Sequence, residues 1–392
     1  MEQLFDVQQY IGWVYPNETV FPWGVLIVVY PYLTGLVAGA FTVSSLYQVF
    51  GIERLKPVAH FALLASLCMM LFVPSPLLLH LGHPERAFNA ILTPHTTSAM
   101  AMFSFAAMFY VFLLAIETWF VFRKYIVEQA QIRTGIMGLA YRVMTLGSYD
   151  VSERAMRADR KWIFALAILG IPGAHGLHGY VGFLFGSVKA REWWSSDLMP
   201  PIFLFSAIIS GTALLNVLYV LSCWFRRVKV DILCLKTMAY SLWGFLMFAL
   251  LLEGVEIVCL MYRGREGIDM IMQYITGPAY YPFLILQLAI GAGVPILILS
   301  FVFWRGITGN ALVTAILISS ALVMMEVFMM RWNVVIGGQE ISKTGKGLLT
   351  YAMEYHGKEG VFAAASVLIM PMLLLLVVLR ILPPWEDGKA SH

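Results

Sequence analysis

The feature that most constrains this sequence is a series of nine long apolar stretches. Each stretch holds about 20 or more mostly apolar residues, the length an α-helix needs to cross the hydrocarbon core of a bilayer. The stretches cover residues 24–50, 56–81, 98–122, 161–186, 201–225, 235–262, 281–304, 309–332 and 360–382. Charged residues make up only 12% of the 392-residue chain, against about 25% in soluble proteins. The sequence therefore predicts an all-α integral membrane protein with about nine transmembrane helices. It excludes a soluble enzyme, a disordered protein and a nucleic-acid binder.

The stretches and their flanks divide the chain into four parts. Residues 1–20 precede the first span and place Leu4, Val7, Ile11 and Val14 on one helical face, which predicts an interfacial amphipathic segment. Spans one and five both begin with proline, and this weak correspondence predicts two four-helix bundles, residues 21–186 and 187–336. Residues 337–392 then hold an outer loop, the last transmembrane helix and a cytoplasmic tail.

The distribution of lysine and arginine predicts the orientation of the chain. An odd number of spans places the two termini on opposite sides. Of the 26 basic residues, 9 fall on the side of the N-terminus and 17 on the other, 8 of these 17 between Arg123 and Lys161. Because the richer side is cytoplasmic by the positive-inside rule, we expect a multi-pass protein of the cell inner (cytoplasmic) membrane. Its N-terminus would be periplasmic and its C-terminus cytoplasmic. The first residues lack a basic region, so we expect no cleavable signal peptide.

Four acidic residues fall inside the apolar stretches: Glu117, Glu253, Glu256 and Glu326. An ionisable side chain within a membrane span is costly, so each is a candidate functional residue. Glu253 and Glu256 are one helical turn apart on the same face. Two carboxyls this close in a low dielectric should not both be ionised, so at least one should hold a proton, as a proton carrier must. A structural alternative stays open, in which each acid only hydrogen-bonds a neighbouring helix.

Histidines and one arginine also fall in or beside the spans. His175 and His178 are one turn apart in span four, His80 closes span two, and Arg331 ends span eight. Most of these titratable residues belong to the outer half of the membrane, whereas Glu117 lies nearer the inner face. Prolines and glycines are expected to interrupt spans two, four and seven, at Pro74 and Pro76, at Pro172-Gly173 and at 291–295. Broken helices beside buried acids predict a hydrated interior.

Three functions fit these residues. The first is a quinone site, which needs hydrogen-bond donors, a proton source and an apolar passage for the tail. The candidates around the quinone head are His80, His178, Tyr180, Glu256 and Arg331. The candidates for a proton route are Glu253, Glu326, His175 and Glu117. The second is a haem b membrane anchor, with His80 and His178 as axial ligands. The third is a secondary transporter, with its site at the broken helices.

Four motifs occur in the order found in one known family. They are Phe21-Pro-Trp-Gly24, His80-Leu-Gly-His-Pro-Glu-Arg86, Ala190-Arg-Glu-Trp-Trp194 with the following 199–207, and Arg331-Trp-Asn-Val-Val-Ile-Gly-Gly-Gln339. From about residue 20 onward the chain resembles the NrfD/PsrC family, the membrane subunits of polysulfide-reductase-like complexes. His80 and His83 depart from the pattern, since many relatives have Asp and Arg there, which puts a proton-relay role for His80 in doubt.

The resemblance implies a quinone-interacting subunit built from two four-helix bundles. Such a subunit exchanges electrons between menaquinone (or ubiquinone) and a periplasmic ferredoxin-like partner that holds iron–sulfur clusters. It binds no haem or cluster alone, and the four cysteines here include no CxxC pair. The run 331–339 and the length are most similar to DsrP-type subunits of DsrMKJOP complexes in dissimilatory sulfur metabolism. The other membrane and cytochrome subunits would then be partners, and the chain would be a non-autonomous part of an oxidoreductase in anaerobic respiration, with proton translocation as an associated expectation.

Overall fold

A computed structural model describes residues 21–264, 267–345 and 347–385. The interfacial segment predicted for residues 1–20 and the end of the predicted tail lie outside the described residues. The described part is helical, and its β-structure is limited to one isolated bridge between Ile341 and Leu348. The chain is thus an all-α membrane protein, as predicted.

Nine segments of the described chain are long and apolar enough to cross a membrane, in agreement with the predicted number. In chain order the helices are α1 Val25–Gln48, α2 Lys56–Met70, α3 Pro74–His80, α4 Asn89–Leu92, α5 Ala99–Ile132, α6 Gly135–Met144, α7 Glu153–Gly186, α8 Met199–Arg226, α9 Ile232–Arg263, α10 Ile268–Thr276, a π-helix Tyr280–Gly293, α11 Val294–Trp304, α12 Gly309–Trp332, a short π-helix Asn333–Gly337, α13 Gly338–Glu340 and α14 Val361–Ile381. Single 3₁₀ turns occupy Glu53–Leu55 and Pro84–Arg86. We call the side where α1 begins the Pro22 side and the opposite one the Arg123 side.

Helices α5 and α7 extend well past the apolar stretches that predicted them. Both begin at a serine cap: the hydroxyl of Ser98 accepts from the N–H of Ala101, and that of Ser152 from Ala155. On the Arg123 side, α5 continues about 15 Å beyond its apolar stretch, at 1.5 Å per residue. The hydropathy of the sequence marks only the apolar part of each helix. The charged residues beyond that part are good helix formers and continue the helix. A buried ion pair joins the two helices, with Arg123 Nη2 2.7 Å from Asp159 Oδ2.

The three predicted interruptions have different outcomes. Span two is broken as predicted, since α2 ends at Met70 and α3 begins at Pro74. The interruption predicted at Pro172 is wrong, because α7 runs unbroken from Glu153 to Gly186. A proline removes only one backbone N–H, and a long membrane helix tolerates that loss. Span seven is irregular as predicted, being a π-helix that becomes regular at Val294.

Helix α1 lies at the centre of the molecule and is buried along nearly its whole length. It packs against α2, α7, α8, α12 and α14. Its closest approach is to α8, where a Cβ on Gly39 would lie 2.8 Å from Gly211 Cα. Glycine at both positions lets the two backbones meet, as in other membrane helix pairs. This contact joins the parts predicted as two bundles, and the division at residues 186 and 187 stays a prediction.

Candidate functional site

Arg331, near the end of α12, is completely buried and holds three helices together. Its Nη2 lies 3.0 Å from His178 Nε2 on α7 and donates to the hydroxyl of Ser206 on α8. The guanidinium carbon lies 3.8 Å from the centre of the Phe203 ring, a cation–π contact. A buried cation is costly unless hydrogen bonds and opposite charges compensate it. Arg331 is therefore a fixed positive charge in the interior.

A chain of side-chain hydrogen bonds leads from α9 to the end of α12. Glu253 Oε2 accepts from Gln287 Nε2 at 2.9 Å, and Gln287 Oε1 accepts from Asn333 Nδ2 at 2.8 Å. Both residues of each pair are buried. Because the amide of Gln287 is bonded on both sides, its orientation is fixed, and it fixes the Glu253 carboxyl in turn. We call Glu253, Gln287 and Asn333 the acid–amide chain.

A cavity of about 70 Å³ lies beside the acid–amide chain. Glu256 lines it one turn along α9, half-buried, and its Oε2 has no hydrogen-bond partner among the described residues. Asn333 Oδ1 likewise has no hydrogen-bond partner among the described residues. Apart from Glu253, Gln287 and these two residues, the walls are apolar: Trp193, Met199, Ile202, Ile257, Leu260, Phe283, Met330 and Val334. Such a pocket suits a flat, apolar ligand with polar groups at one end.

Glu326 packs against the same π-helix that carries Gln287. It is buried in α12 directly against Gly291, where a Cβ would come 2.5 Å from Glu326 Cβ. Its Oε2 has no hydrogen-bond partner among the described residues. Arg331 interacts electrostatically with both Glu326 and Glu253. The structure thus groups one cation with two of the four acids predicted within spans.

Two of the predicted quinone residues lie apart from this group. His80 Nδ1 is 3.0 Å from Glu359 Oε2, in the segment before α14. The Tyr180 hydroxyl donates to the carbonyl of Ala99 at 3.0 Å. The structure therefore brings His178 to Arg331, and Glu256 to Glu253, but places His80 and Tyr180 elsewhere. The two histidines of the haem alternative have different partners.

The remaining two proton-route residues lie in the half of the molecule formed by α1, α5 and α7. His175 Nδ1 is 2.8 Å from the carbonyl of Ile171, and its Nε2 is 3.4 Å from Thr42 Oγ1. Glu117 is fully buried in α5, and neither carboxyl oxygen has a hydrogen-bond partner among the described residues. Buried polar atoms of this kind are usually satisfied by internal water. His175 and Glu117 do not contact the acid–amide chain directly.

Sequence reasoning did not assign Gln287, Asn333 and Ser206 to the site. Gln287 is the one amide in the seventh apolar stretch, and that isolation could have singled it out. Asn333 stands in the run 331–339 but follows the last apolar residue of its span. Ser206 looks like any small residue of an apolar helix, and only the position of Arg331 gives it significance.

Two adjacent tryptophans outside the spans hold the segment that carries Asn333. Trp193 Nε1 donates to the carbonyl of Asn333 at 3.0 Å, and Trp194 Nε1 donates to that of Val334. Arg191 Nη1 donates to the carbonyl of Gly338 at 2.8 Å. We call Arg191, Trp193 and Trp194 the outer clamp. Beside it lies a cleft of about 720 Å³, lined by residues that include Lys189, Ser195, Ser196 and Asp197.

A tyrosine outside the spans extends this packing. The Tyr274 hydroxyl donates to Glu340 Oε2 at 2.9 Å. Burial, together with the nearby carboxylate of Glu340, raises the pKa of the Tyr274 hydroxyl above its usual value. Tyr274 is therefore a stable hydrogen-bond donor at every physiological pH, which helps to fix the segment after α12.

Comparison with known proteins gives one family and several relatives. The sequence model of the family described as "Polysulphide reductase, NrfD" matches residues 14–342. A selenate reductase subunit of Mesobacillus selenatarsenatis is 36% identical over 203 residues, 50% of this chain and 47% of that protein. A putative dimethyl sulfoxide reductase membrane subunit of Halobacterium salinarum is 28% identical over 215 residues, 55% of this chain and 46% of that protein. The chain thus spans about half the length of these two curated relatives.

A third relative is aligned over more of the chain. The "Hdr-like menaquinol oxidoreductase integral membrane subunit" of Archaeoglobus fulgidus is 25% identical over 311 residues, 75% of this chain and 68% of that protein. The three relatives carry the names of different oxidoreductases.

Proposed function

Because this chain belongs to the NrfD, or polysulphide reductase, family, we propose that it is the quinone-interacting membrane subunit of a respiratory redox complex. It exchanges electrons between menaquinone (or ubiquinone) and an iron–sulfur partner subunit. Support comes from three relatives named as subunits of reductases or of a menaquinol oxidoreductase. Alone, the chain supplies only the quinone half-reaction.

The observation that carries the proposal is the cavity beside the acid–amide chain. Its apolar walls match the apolar character of a quinone ring. Glu256 Oε2 and Asn333 Oδ1, both without a partner among the described residues, can accept from the hydroxyls of a quinol head, and a protonated Glu256 can donate to a quinone carbonyl. Ile257 and Leu260 are partly exposed on α9, so the cavity adjoins a lipid-facing surface. The residues present therefore fit a quinone that is exchanged with the membrane.

When bound, a quinone supplies a two-electron, two-proton reaction. The residues of this chain manage the protons. Glu256 accepts or returns one at its unpartnered Oε2. Glu253, held by Gln287, handles the second in a fixed orientation, which favours proton transfer. Arg331 keeps a compensating positive charge close to Glu253 and Glu326.

A proton route across the membrane is part of the proposal. Glu253 and Glu326 form its segment near the cavity, and His175 and Glu117 form the segment toward the Arg123 side. The unpartnered oxygens of Glu326 and Glu117 support it, because water chains commonly satisfy such atoms. Neither the direction of electron flow nor that of the protons is part of the proposal. His80 and Tyr180 keep a place as candidates at the entrance on the Pro22 side.

The proposed partner is a periplasmic ferredoxin-like subunit docked on the Pro22 side. The outer clamp and the cleft beside it offer a structured surface there. The chain would then lie in the cell inner membrane, and its Pro22 side would face the periplasm. The run 331–339 further supports a DsrP-type role in a DsrMKJOP-like complex of dissimilatory sulfur metabolism, with membrane and cytochrome subunits as additional partners.

The test is quinol-linked turnover of the purified complex with dimethylnaphthoquinol as donor. Glu256→Gln keeps the size of the side chain but cannot carry a proton, so we expect at least a tenfold loss of turnover, as for other lost acid–base groups. Glu128→Gln, at an exposed acid of α5, is the matched control and should keep full turnover. Unchanged turnover in Glu256→Gln with normal assembly would remove the cavity as the quinone site. A visible spectrum of the purified chain tests the haem alternative, and solute uptake into liposomes tests the transporter alternative.

A further inference from the structure

Helix α6 presents an apolar face that nothing else in the described chain covers. One face is buried against α5 through Gly138 and Tyr141. On the opposite face, Ile136, Leu139 and Val143 follow one another at helical spacing and are 87%, 59% and 64% exposed. A continuous stripe of large apolar side chains is unfavourable in water, so it indicates a surface that meets a membrane or another molecule.

Two hydrogen bonds fix the depth of α6. Trp119 Nε1 donates to the carbonyl of Met144 at 2.8 Å, and the Tyr141 hydroxyl donates to that of Ile381 at 2.7 Å. Trp119 lies just inside the apolar stretch of α5, and Ile381 is the last residue of α14. The C-terminal end of α6 is therefore level with the ends of the apolar stretches. That is the depth of the lipid headgroups.

An exposed tryptophan marks the same level. Trp162 begins the apolar part of α7 on the Arg123 side and is 56% exposed, with its ring stacked on Phe120 at 6.1 Å. Tryptophan is enriched where a membrane meets water. Its position next to Lys161 agrees with a boundary between hydrocarbon and headgroups at this point.

The charge around α6 is positive. Residues 123–161 hold 8 basic and 4 acidic residues, a net charge of 8 − 4 = +4. Exposed Arg133 and Arg142 flank the apolar stripe, and within the described residues neither is in an ion pair. Further exposed bases lie on the first turns of α7: Arg154, Arg157, Arg160 and Lys161. An apolar stripe with basic flanks is the pattern of a helix lying on an anionic lipid surface.

We propose that α6 is an interfacial helix whose apolar stripe inserts between the headgroups of anionic lipids on the Arg123 side. The apolar contacts of Ile136, Leu139 and Val143 hold it in the interface. Arg133 and Arg142 bind the lipid phosphates. The proposal does not depend on the quinone site, since it concerns the opposite end of α5 and α7.

Amide hydrogen exchange of the full chain in nanodiscs tests this proposal. Peptides that cover residues 133–147 are compared between phosphatidylcholine nanodiscs and nanodiscs with one third phosphatidylglycerol. Each basic residue near an anionic surface contributes a severalfold gain in binding, so we expect exchange about tenfold slower with phosphatidylglycerol. Arg133→Gln/Arg142→Gln should abolish this difference. Arg86→Gln/Lys189→Gln removes two exposed bases from the Pro22 side and should leave it intact.

A second variant tests the apolar stripe itself. Ile136→Gln/Leu139→Gln/Val143→Gln should exchange rapidly in both kinds of nanodisc, while peptides of α7 keep their wild-type protection and report an intact fold. Equal protection of wild-type α6 in both lipids would overturn the proposed contact with anionic lipids. Protection that appears only after partner subunits are added would assign the stripe to a protein interface and would equally overturn the proposal.

Discussion

Arg331 is the residue whose chemistry depends most on its geometry. Its planar guanidinium bonds His178 and Ser206 while its carbon lies over the Phe203 ring, so it fixes three helices at one point. Lysine is a point charge that cannot make these contacts together. The site thus depends on the shape of the cation as well as on its charge.

Arg331→Lys should therefore keep the buried charge but lose the fixed orientation of His178. We expect quinol-linked turnover to fall about a hundredfold, the loss seen when positioning at a reacting centre slips by about 1 Å. The measurement is dimethylnaphthoquinol turnover of the assembled complex. Arg305→Lys, at an exposed arginine after α11, is the control and should turn over like wild type. Wild-type turnover in Arg331→Lys would show that only the charge matters.

The elements around the candidate site are irregular where they carry the acid–amide chain. The π-helices Tyr280–Gly293 and Asn333–Gly337 carry Gln287 and Asn333, the two amides of the acid–amide chain. Wide turns of this kind are frequent at functional sites. They leave carbonyls free to accept other donors, and the outer clamp donates to two of them. The clamp therefore sets the position of Asn333, and through Gln287 that of Glu253.

Trp193→Phe tests this role of the clamp, because it keeps an aromatic ring in the cavity wall and removes the indole N–H. We expect the catalytic constant for quinol to fall about tenfold through misplacement of Asn333, with a smaller change in KM. Trp243→Phe removes an equivalent N–H, which donates to Ser300 Oγ at 2.9 Å away from the site. It should cost a similar amount of stability and leave turnover unchanged. Equal turnover in the two variants would count against a positioning role.

The contact of α1 with α8 offers a test of packing between elements. Gly39→Ala places a methyl group against the backbone at Gly211, and overpacking of this kind costs about 1–3 kcal/mol. We expect a lower Tm in detergent, measured by tryptophan fluorescence. Gly244→Ala, in α9 where no neighbour lies within 4 Å of the added methyl, should leave Tm unchanged or raise it slightly. A Tm of Gly39→Ala at or above wild type would mean that the helices can separate freely at this point.

At the scale of the whole molecule, the nine spans were predictable because membrane insertion depends on apolar length alone. The site was predictable only in part. Burial cost singles out Glu253, Glu326 and Arg331 in any apolar sequence. The partners of each residue depend on helix rotation, because of which His178 meets Arg331 while Tyr180, two residues on, turns toward Ala99. The extensions of α5 and α7 were missed for a similar reason, since hydropathy does not register a helix that continues into water.

The predicted orientation of the molecule rests on the segment between Arg123 and Lys161. Without the 8 bases between Arg123 and Lys161, the 17 basic residues of that side fall to 9, equal to the 9 of the other side. A C-terminal fusion to green fluorescent protein, which fluoresces only in the cytoplasm, should be bright. Changing the other six bases of this segment, all but Arg123 and Lys124, to glutamine leaves 11 basic residues on this side of the membrane against 9 on the other. The positive-inside rule then predicts a mixed population and a clear loss of fluorescence per molecule. Arg123 is left in place because its buried pair with Asp159 holds the fold. Full fluorescence in the six-fold variant would mean that the apolar spans themselves, rather than this segment, determine the orientation.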